Sequence, residues 1–468
     1  MAVPISGRAF PEGGERAIPH GPRRILGSLA AVVLIVAACS GSGTAAPSVG
    51  GGGTASQPAA SSGGGTPSQP AASAGGETSL GSNESDPQPK SAVHALTDYC
   101  QTKAGITIKV SDNNHNDFQD KISSYLQGTP DDIVKWFAGH RVRFFANQGL
   151  LAPIDDVWTD IGSNYSDAFK TASKGDDGKY YFVPNINYPW VVMYRKSVFT
   201  EKGYTVPVNL TDFKALGDKM KADGLVPLAF GDLDGWPAMG TFDILNMRQN
   251  GYDLHVGLMG GTQKWSDPKT KAVFELWKGI LPYFQEGAPG RNWQDAAKTM
   301  IVDKKAGMYF LGTFAAQQAP TPADVADIGF FPFPVLGNSF DSENAIDAPI
   351  DGFMLSKSPK NPEAAKAFLK CVATGAAQKT YTNISTGDTA TANDADTSGY
   401  NQLQKDAAAI IAKSGKIAQF LDRDARSDFA DASGMQGFLL SFLNDPNQDL
   451  DKFLGDIQAY YDSLPPEK

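Results

Sequence analysis

The sequence predicts an α/β protein whose body folds as two lobes. Three observations carry that expectation. The chain has 468 residues, room for two or three domains. It is 41% hydrophobic and 10% aromatic, enough to build large cores and incompatible with wholesale disorder. From residue 91 onward, short apolar runs alternate with stretches of helical periodicity, the pattern of α/β units with mainly parallel sheets.

Composition also excludes some classes. A net charge of −10 argues against a nucleic-acid binder, which needs a basic face. Three cysteines cannot make a disulfide-rich scaffold. Charges before residue 91 cancel, so the body of residues 91–468 carries the whole −10. Its length suits two lobes.

The first elements are not part of that body. Residues 1–24 are polar and carry Arg8, Arg16, Arg23 and Arg24, and an apolar run follows from Ile25 to Ala38. The run is shorter than the roughly 20 residues a membrane span needs, and it fits the apolar region of a signal peptide, residues 1–38. Val36-Ala37-Ala38-Cys39 resembles a lipobox, which makes Cys39 the expected lipidation site. Between Ser40 and Lys90, 41 of 51 residues are Gly, Ser, Ala, Pro or Thr, and GGGTASQPAAS (Gly51–Ser61) returns as GGGTPSQPAAS (Gly63–Ser73). Such a segment cannot bury enough apolar surface to offset its ordering entropy, so residues 39–90 read as a tether. As a flexible coil of about 50 residues its ends would lie about 40 Å apart.

In the body, Ala92–Cys100 reads as the first helix and Ile106–Val110 as a strand. Asp117–Leu126 reads as a helix, capped by Asp117 and stopped by Gly128. Asp131–Phe137 is a strand and Arg141–Gln148 a helix closed by Gly149. Strand Trp190–Tyr194, helix Leu210–Ala222 and strand Val226–Phe230 follow, and Leu254–Met259 is ambiguous. Ala272–Phe284 and Asp295–Val302 read as helices, and Gly307–Leu311, Asp327–Phe331 and Gly352–Ser356 as strands. Asn361-Pro362 opens a helix to about Ala373, with Pro in the first turn where its missing N–H costs nothing. Helices near Gln402–Lys413, Met435–Leu443 and Gln448–Ser463 complete the chain.

Catalytic signatures are missing. There is no GxSxG, HExxH, CxxC or GxxxxGK[ST]. His94, His115, His140 and His255 lack metal-ligand spacing, so neither a metal nor a cofactor is expected. Cys100 and Cys371 could be bridged in an exported protein or be two buried thiols. What the body has instead is aromatic rings beside polar turns: KWFAGHR (Lys135–Arg141), NYPW (Asn187–Trp190), GDLDGWP (Gly231–Pro237), RNW (Arg291–Trp293) and LGTF (Leu311–Phe314). A sugar presents apolar C–H faces and a rim of hydroxyls, and its recognition needs flat rings together with polydentate donors and acceptors. Each single ring is more simply a half-buried core residue, but five clusters at strand ends or turns point together to a sugar site. Tyr188, Trp190, Asp232 and Trp293 are candidates on these grounds. Asn113, Asn114 and His115, which follow the strand Ile106–Val110, could line its rim.

Four blocks carry a resemblance. They are GTPDDIVKWFAGHRVRFFANQGLLAPIDDVW, GKYYFVPNINYPWVVMYRKSVFTEKGYTVPVNLTDFKAL, GMYFLGTFA and DGFMLSKSPKNPEAAKAFLKCVAT, in that order from Gly128 to Thr374. Together they resemble the bacterial extracellular solute-binding proteins of sugar ABC importers (family 1, maltodextrin-binding-protein-like). The resemblance implies a type II periplasmic-binding-protein-like fold, with a cleft between lobes and crossing hinge strands. Crossings are then expected near Tyr194–Lys196, Pro349–Asp351 and Ser385–Asp388. That gives a first lobe of residues 91–195 and 351–385 and a second lobe of residues 196–350 and 386–468. Cys100 and Cys371 both fall in the first lobe.

By the same resemblance, Phe137, His140 and Arg141 occupy positions that supply an aromatic, a carboxylate and an arginine to the sugar, with His140 replacing the carboxylate. Phe314 takes the aromatic place of the G-x-W block, Trp236 that of a cleft aromatic from the second lobe, and Asp351 lies at the return crossing. The family's first strand and its glycine-rich turn are not visible before Ala92, so that strand is expected to be absent or replaced from elsewhere.

The implied function is a sugar-binding lipoprotein at the extracellular face of the cytoplasmic membrane, a monomer that closes about its hinge and delivers a mono- or oligosaccharide to ABC permease subunits. Other readings are a binder of a different polar solute such as glycerol phosphate, a secreted glycan-processing enzyme with a carboxylate pair, and a cell-wall interaction protein.

Overall fold

The computed structural model describes residues 75–466. The expected signal peptide, Cys39 and the first part of the tether lie outside the described residues. Twelve strands follow in chain order: β1 Glu77–Ser82, β2 Thr107–Asp112, β3 Ile133–Phe137, β4 Phe182–Asn187, β5 Trp190–Arg195, β6 Val226–Ala229, β7 Ala306–Gly312, β8 Ile328–Phe331, β9 Ala345–Asp347, β10 Ile350–Leu355, β11 Thr389–Ala390 and β12 Lys416–Ala418. A six-stranded sheet in the order β11-β4-β10-β3-β1-β2 is the centre of the first lobe, and a four-stranded sheet, β6-β7-β5-β8, that of the second. β9 and β12 form a separate two-stranded ribbon.

Both main sheets are mixed, which corrects the expectation of mainly parallel sheets. β1 runs parallel to β2 and β3, and β6 to β7, but β10 and β4 are antiparallel to their neighbours, as are β7 and β8 to β5. The reversal follows from the crossings. A strand that enters a sheet from the other lobe, rather than over a βαβ helix, has no need to run parallel.

The first crossing is at Tyr188-Pro189, because β4 pairs in the first sheet and β5 in the second. The expected crossing near Tyr194–Lys196 is therefore six residues late. The second, at Ala348-Pro349 between β9 and β10, falls where the sequence placed it. The third follows β11, which still pairs with β4, so the expected point near Ser385–Asp388 is early. Helix Gln402–Lys413 then packs on β8 and on helix Pro322–Asp327 of the second lobe.

The first strand is present, which corrects the other expectation. β1 escaped detection because ETSLGS contains one apolar side chain, Leu80, and buries its polar ones through hydrogen bonds. Thr78 donates to the Asp132 carboxylate at 3.0 Å, and the Asp132 amide donates to Ser79 Oγ at 3.0 Å. Likewise the first helix is Pro87–Ala104, beginning five residues before Ala92, with proline in its first turn. The ordered body thus starts inside the segment read as tether. A disulfide joins this helix, through Cys100, to Cys371 in helix Pro362–Val372, with Cα atoms 5.7 Å apart.

Helix Pro237–Asn250 has no counterpart in the sequence reading. Every residue of it except Gln249 is buried, so it has no polar stripe and no helical period to detect. The helix read as Ala272–Phe284 is Pro268–Lys278 followed by a single 3-10 turn, Leu281–Tyr283, where Pro282 cannot continue the ladder.

Candidate functional site

The strands β1, β2 and β3 end on the same side of the first sheet, the edge where open α/β sheets place their ligands. There a cavity of about 290 Å³ opens between the lobes. The first lobe contributes Glu84 and Asp86 after β1, Asn114 and His115 after β2, Phe137 at the end of β3, Asp351 in β10, and Tyr381 and Asp388. The second contributes Trp190 from β5, Trp236 at the start of helix Pro237–Asn250, Trp293 and Phe314. A third wall comes from the C-terminal segment, through Phe420, Asp422 and Arg423.

One wall is aromatic. Trp190 stacks on Phe420, centroids 5.1 Å apart at 27°. Trp236 stands edge-on to Trp190 at 6.3 Å and packs near Trp293 and Phe314 at 6.2 and 6.0 Å. The rings approach so closely that Gly240 is needed on the facing helix: a Cβ there would lie 2.5 Å from Trp190 and 2.7 Å from Phe420. Phe420 itself has φ +122°, a backbone strain that a packed functional site can sustain.

The opposite wall is charged. Arg423 donates to Asp351 at 2.7 Å and to the Tyr188 hydroxyl at 3.0 Å, with its guanidinium 4.0 Å from the Phe137 ring. Burial opposes that charge, but Asp351, Tyr188 and Asp422 together outweigh it and the guanidinium is held above its ordinary value. Lys135, fully buried behind the wall, forms an ion pair with Glu84; burial of Glu84 is outweighed by that ammonium, which holds the carboxyl below its usual range. Asp388 receives the Ser385 hydroxyl, and burial, with Asp351 and Glu84 adding repulsion, pushes it up to about 8.

Several of these groups are left unsatisfied. Trp190 Nε1, Trp236 Nε1, Tyr381 Oη, Asp388 Oδ1, Asp422 Oδ1 and Arg423 Nε are buried without a hydrogen-bond partner, the last two facing each other as an ion pair at 3.6 Å. All belong to residues lining the one cavity. Buried polar atoms are normally satisfied, so this convergence of donors and acceptors marks a site for a polar, uncharged or weakly charged molecule with both kinds of group. Bonds cross the cleft between the lobes: Asn116 Nδ2 donates to Asp234 at 2.8 Å, Gln294 Nε2 to Asp86 at 3.3 Å and Gln88 Nε2 to the Gln317 carbonyl at 3.0 Å.

Of the sequence candidates, Asn114, His115, Phe137, Tyr188, Trp190, Trp236, Trp293, Phe314 and Asp351 line the cavity. Three do not. Arg141 lies behind the wall, its Nε donating to the Asp422 carbonyl at 2.7 Å and Nη2 to the Asp422 carboxylate at 3.0 Å, so it positions Asp422. His140 opens helix His140–Asn147 with its ring 6.5 Å from Phe144, outside the cavity. Asp232 is fully buried and accepts the Ala238 amide at 2.8 Å; burial pushes it up to about 8, and it fixes the start of the helix that carries Trp236. Asp234, two residues on, reaches the cavity instead and accepts a hydrogen bond from Asn116.

The sequence reading missed Glu84, Asp86, Tyr381, Asp388, Phe420, Asp422 and Arg423. The signal for the last three was available, since QFLDRD (Gln419–Asp424) sets an aromatic ring beside acids and an arginine as the other clusters do. Glu84 and Asp86 were hidden by the tether-like composition around them. Among the described residues no group of three or more His, Cys, Asp or Glu is placed to hold a metal ion.

Comparison with known proteins agrees with this geometry. The bacterial solute receptor AcbH, whose structures revealed an exclusive preference for β-D-galactopyranose, is 44% identical and superposes with a TM-score of 0.81 over 83% of this chain and 99% of its own. A chitin oligosaccharide binding protein, at 22% identity and TM-score 0.73, covers 82% of this chain and 98% of its own and shows the same fold. An uncharacterized ABC transporter extracellular-binding protein of Pyrococcus horikoshii is 28% identical over 60% of this chain and 63% of its own length. The alpha-glucosides-binding periplasmic protein AglE of Rhizobium meliloti is 23% identical over 60% and 65%. The chain thus spans somewhat less than two thirds of these curated relatives. The profile of bacterial extracellular solute-binding proteins matches residues 95–440, about three quarters of the chain, and the protein belongs to that family.

Proposed function

We propose that this protein is the extracellular sugar receptor of an ABC importer, closing its two lobes on a monosaccharide and presenting it to the permease. The observation that carries the reading is the pairing, in one cavity, of a wall of aromatic rings with buried polar atoms that have no hydrogen-bond partner. A pyranose matches both, stacking its C–H face on the rings and exchanging hydroxyl hydrogen bonds with the opposite wall. A volume of about 290 Å³ lies at the small end of ligand sites and favours one sugar ring over an oligosaccharide. Carboxylates outnumber cations in the lining, and Arg423 is already committed to Asp351, which disfavours glycerol phosphate and other anions.

The relationship to AcbH makes β-D-galactopyranose the first ligand to test. Cys39 is the membrane anchor in this reading, on the strength of the small residues before it and the tether after it. The family consists of binding proteins, and this chain is read as having no catalytic role. Calorimetric titration with galactose, glucose and a disaccharide tests the proposal. Saturable binding of a monosaccharide without turnover is the expected result; hydrolysis of a glycan, or binding of glycerol phosphate alone, refutes it.

A further inference from the structure

A second cavity, of about 250 Å³, lies in the second lobe, away from the cleft. Its walls are Pro332, Ala345, Ile346 and Ile410, with Arg248, Lys413 and Ser414 supplying polarity. Arg248 is 9% exposed. Its Nε donates to the Phe333 carbonyl at 3.0 Å, and among the described residues Nη1 and Nη2 make neither a hydrogen bond nor an ion pair.

The other buried arginines are different. Arg195 is held by Asp327 at 2.7 Å, Arg423 by Asp351 at 2.7 Å, Arg426 by Asp428 at 2.6 Å, and the largely buried Arg141 by Asp422 at 3.0 Å. Arg248 has no such carboxylate. The acid whose charge acts on it, Asp341, is committed to the turn before it, accepting the amides of Leu336, Gly337 and Asn338 at 2.7–3.0 Å. Glu343, on the same turn, is engaged by Lys416 and the Tyr252 amide. The stem of Arg248 is buried while Nη1 and Nη2 stay open to the cavity, and two amines side by side are shaped for a carboxylate.

We propose that this cavity binds a small organic carboxylate, its two oxygens on Nη1 and Nη2 of Arg248 and its short apolar body against Ile346 and Ile410. Lys413 adds a second positive charge at the mouth. β9, which carries Ala345 and Ile346, leads directly into the hinge crossing at Ala348-Pro349, so the site abuts the segment that must flex when the lobes move.

The test is titration of the full chain with butyrate and with inorganic phosphate at constant ionic strength, followed by calorimetry and thermal shift. Galactose titration serves as the control for folding. Saturable butyrate binding is expected, weakened roughly tenfold or more in Arg248→Met with galactose binding retained. Ile410→Glu should also abolish it, by placing an internal carboxylate across from the guanidinium, and this variant decides the matter if Arg248→Met does not fold. Equal binding by wild type and variants, or no saturable binding, overturns the proposal and leaves Arg248 as a charge on the carbonyl end of its helix. Phosphate binding as tight as butyrate overturns the carboxylate assignment.

Discussion

The two walls of the cleft are built on different physics. The second-lobe wall of Trp190, Trp236, Trp293 and Phe314, extended by Phe420, is a set of rings that pack on one another and on Gly240, so its shape exists before any ligand arrives. The first-lobe wall is a network of opposed charges, Glu84 with Lys135 and Asp351 with Arg423, surrounded by atoms still lacking partners. The aromatic wall supplies area and the charged wall supplies direction. Arg423 comes from the C-terminal segment and bonds to the first lobe, so it ties the two together.

If that tie is as central as the geometry implies, Arg423→Ala should be the most damaging change. It strands the buried Asp351 carboxylate, and losing one partner of a buried pair costs about 3–5 kcal/mol. The readouts are a drop in Tm and loss of sugar binding, and a near-normal Tm would show the charged wall to be dispensable. Reducing Cys100–Cys371, which closes a loop across 271 residues of sequence, should cost about 2–4 kcal/mol in chemical denaturation. The loss should be read in the first lobe alone, leaving the aromatic wall intact.

On the aromatic side, Trp236→Ala should weaken sugar binding by about 1–3 kcal/mol with little change in fold, as measured by calorimetry. Unchanged affinity would show that the ring is only packing. Asn116→Ala removes one bond across the lips and should favour opening by about 1 kcal/mol, read as faster sugar release in stopped flow.

The smallest effect expected near pH 6 is that of Asp388→Asn, because the native acid is already neutral there. Its folded value of about 8 lies above the ordinary carboxylate value, so the folded state keeps a proton that the unfolded chain releases. Its contribution is complete below about pH 4 and is lost as pH rises through about 8. Thermal melts between pH 5 and 8.5 should show wild-type stability falling more steeply than that of the variant.

How much of this was legible beforehand depended on how each region satisfies its polar groups. Strands such as β5 and β7 announce themselves because apolar side chains do the burying. β1 does not, because Thr78 and Ser79 reach Asp132 only after residues 54 and 53 positions apart have come together. Helix Pro237–Asn250, buried all round, has no period to read. The aromatic wall was foreseen nearly whole, since rings beside turns are a local signal. Of the first-lobe side, Asn114, His115, Phe137, Tyr188 and Asp351 were named, but none of the charged partners Glu84, Lys135 and Arg423. Arg141 matched a family position yet serves Asp422, and no local pattern distinguishes an arginine that lines the cavity from one that holds a residue that does.

By itself the sequence determined the composition of the body, the alternation of strands and helices, the aromatic clusters and the presence of two cysteines able to meet. Those follow from local periodicity and residue chemistry. Tertiary structure alone decided where the chain crosses between lobes, which acids face the cavity, and that Phe420, Asp422 and Arg423 complete it. The reason is that burial and the partner of a charge are properties of space: Asp232 and Asp234 are two residues apart, and only the folded turn sends one into the core and the other to the site.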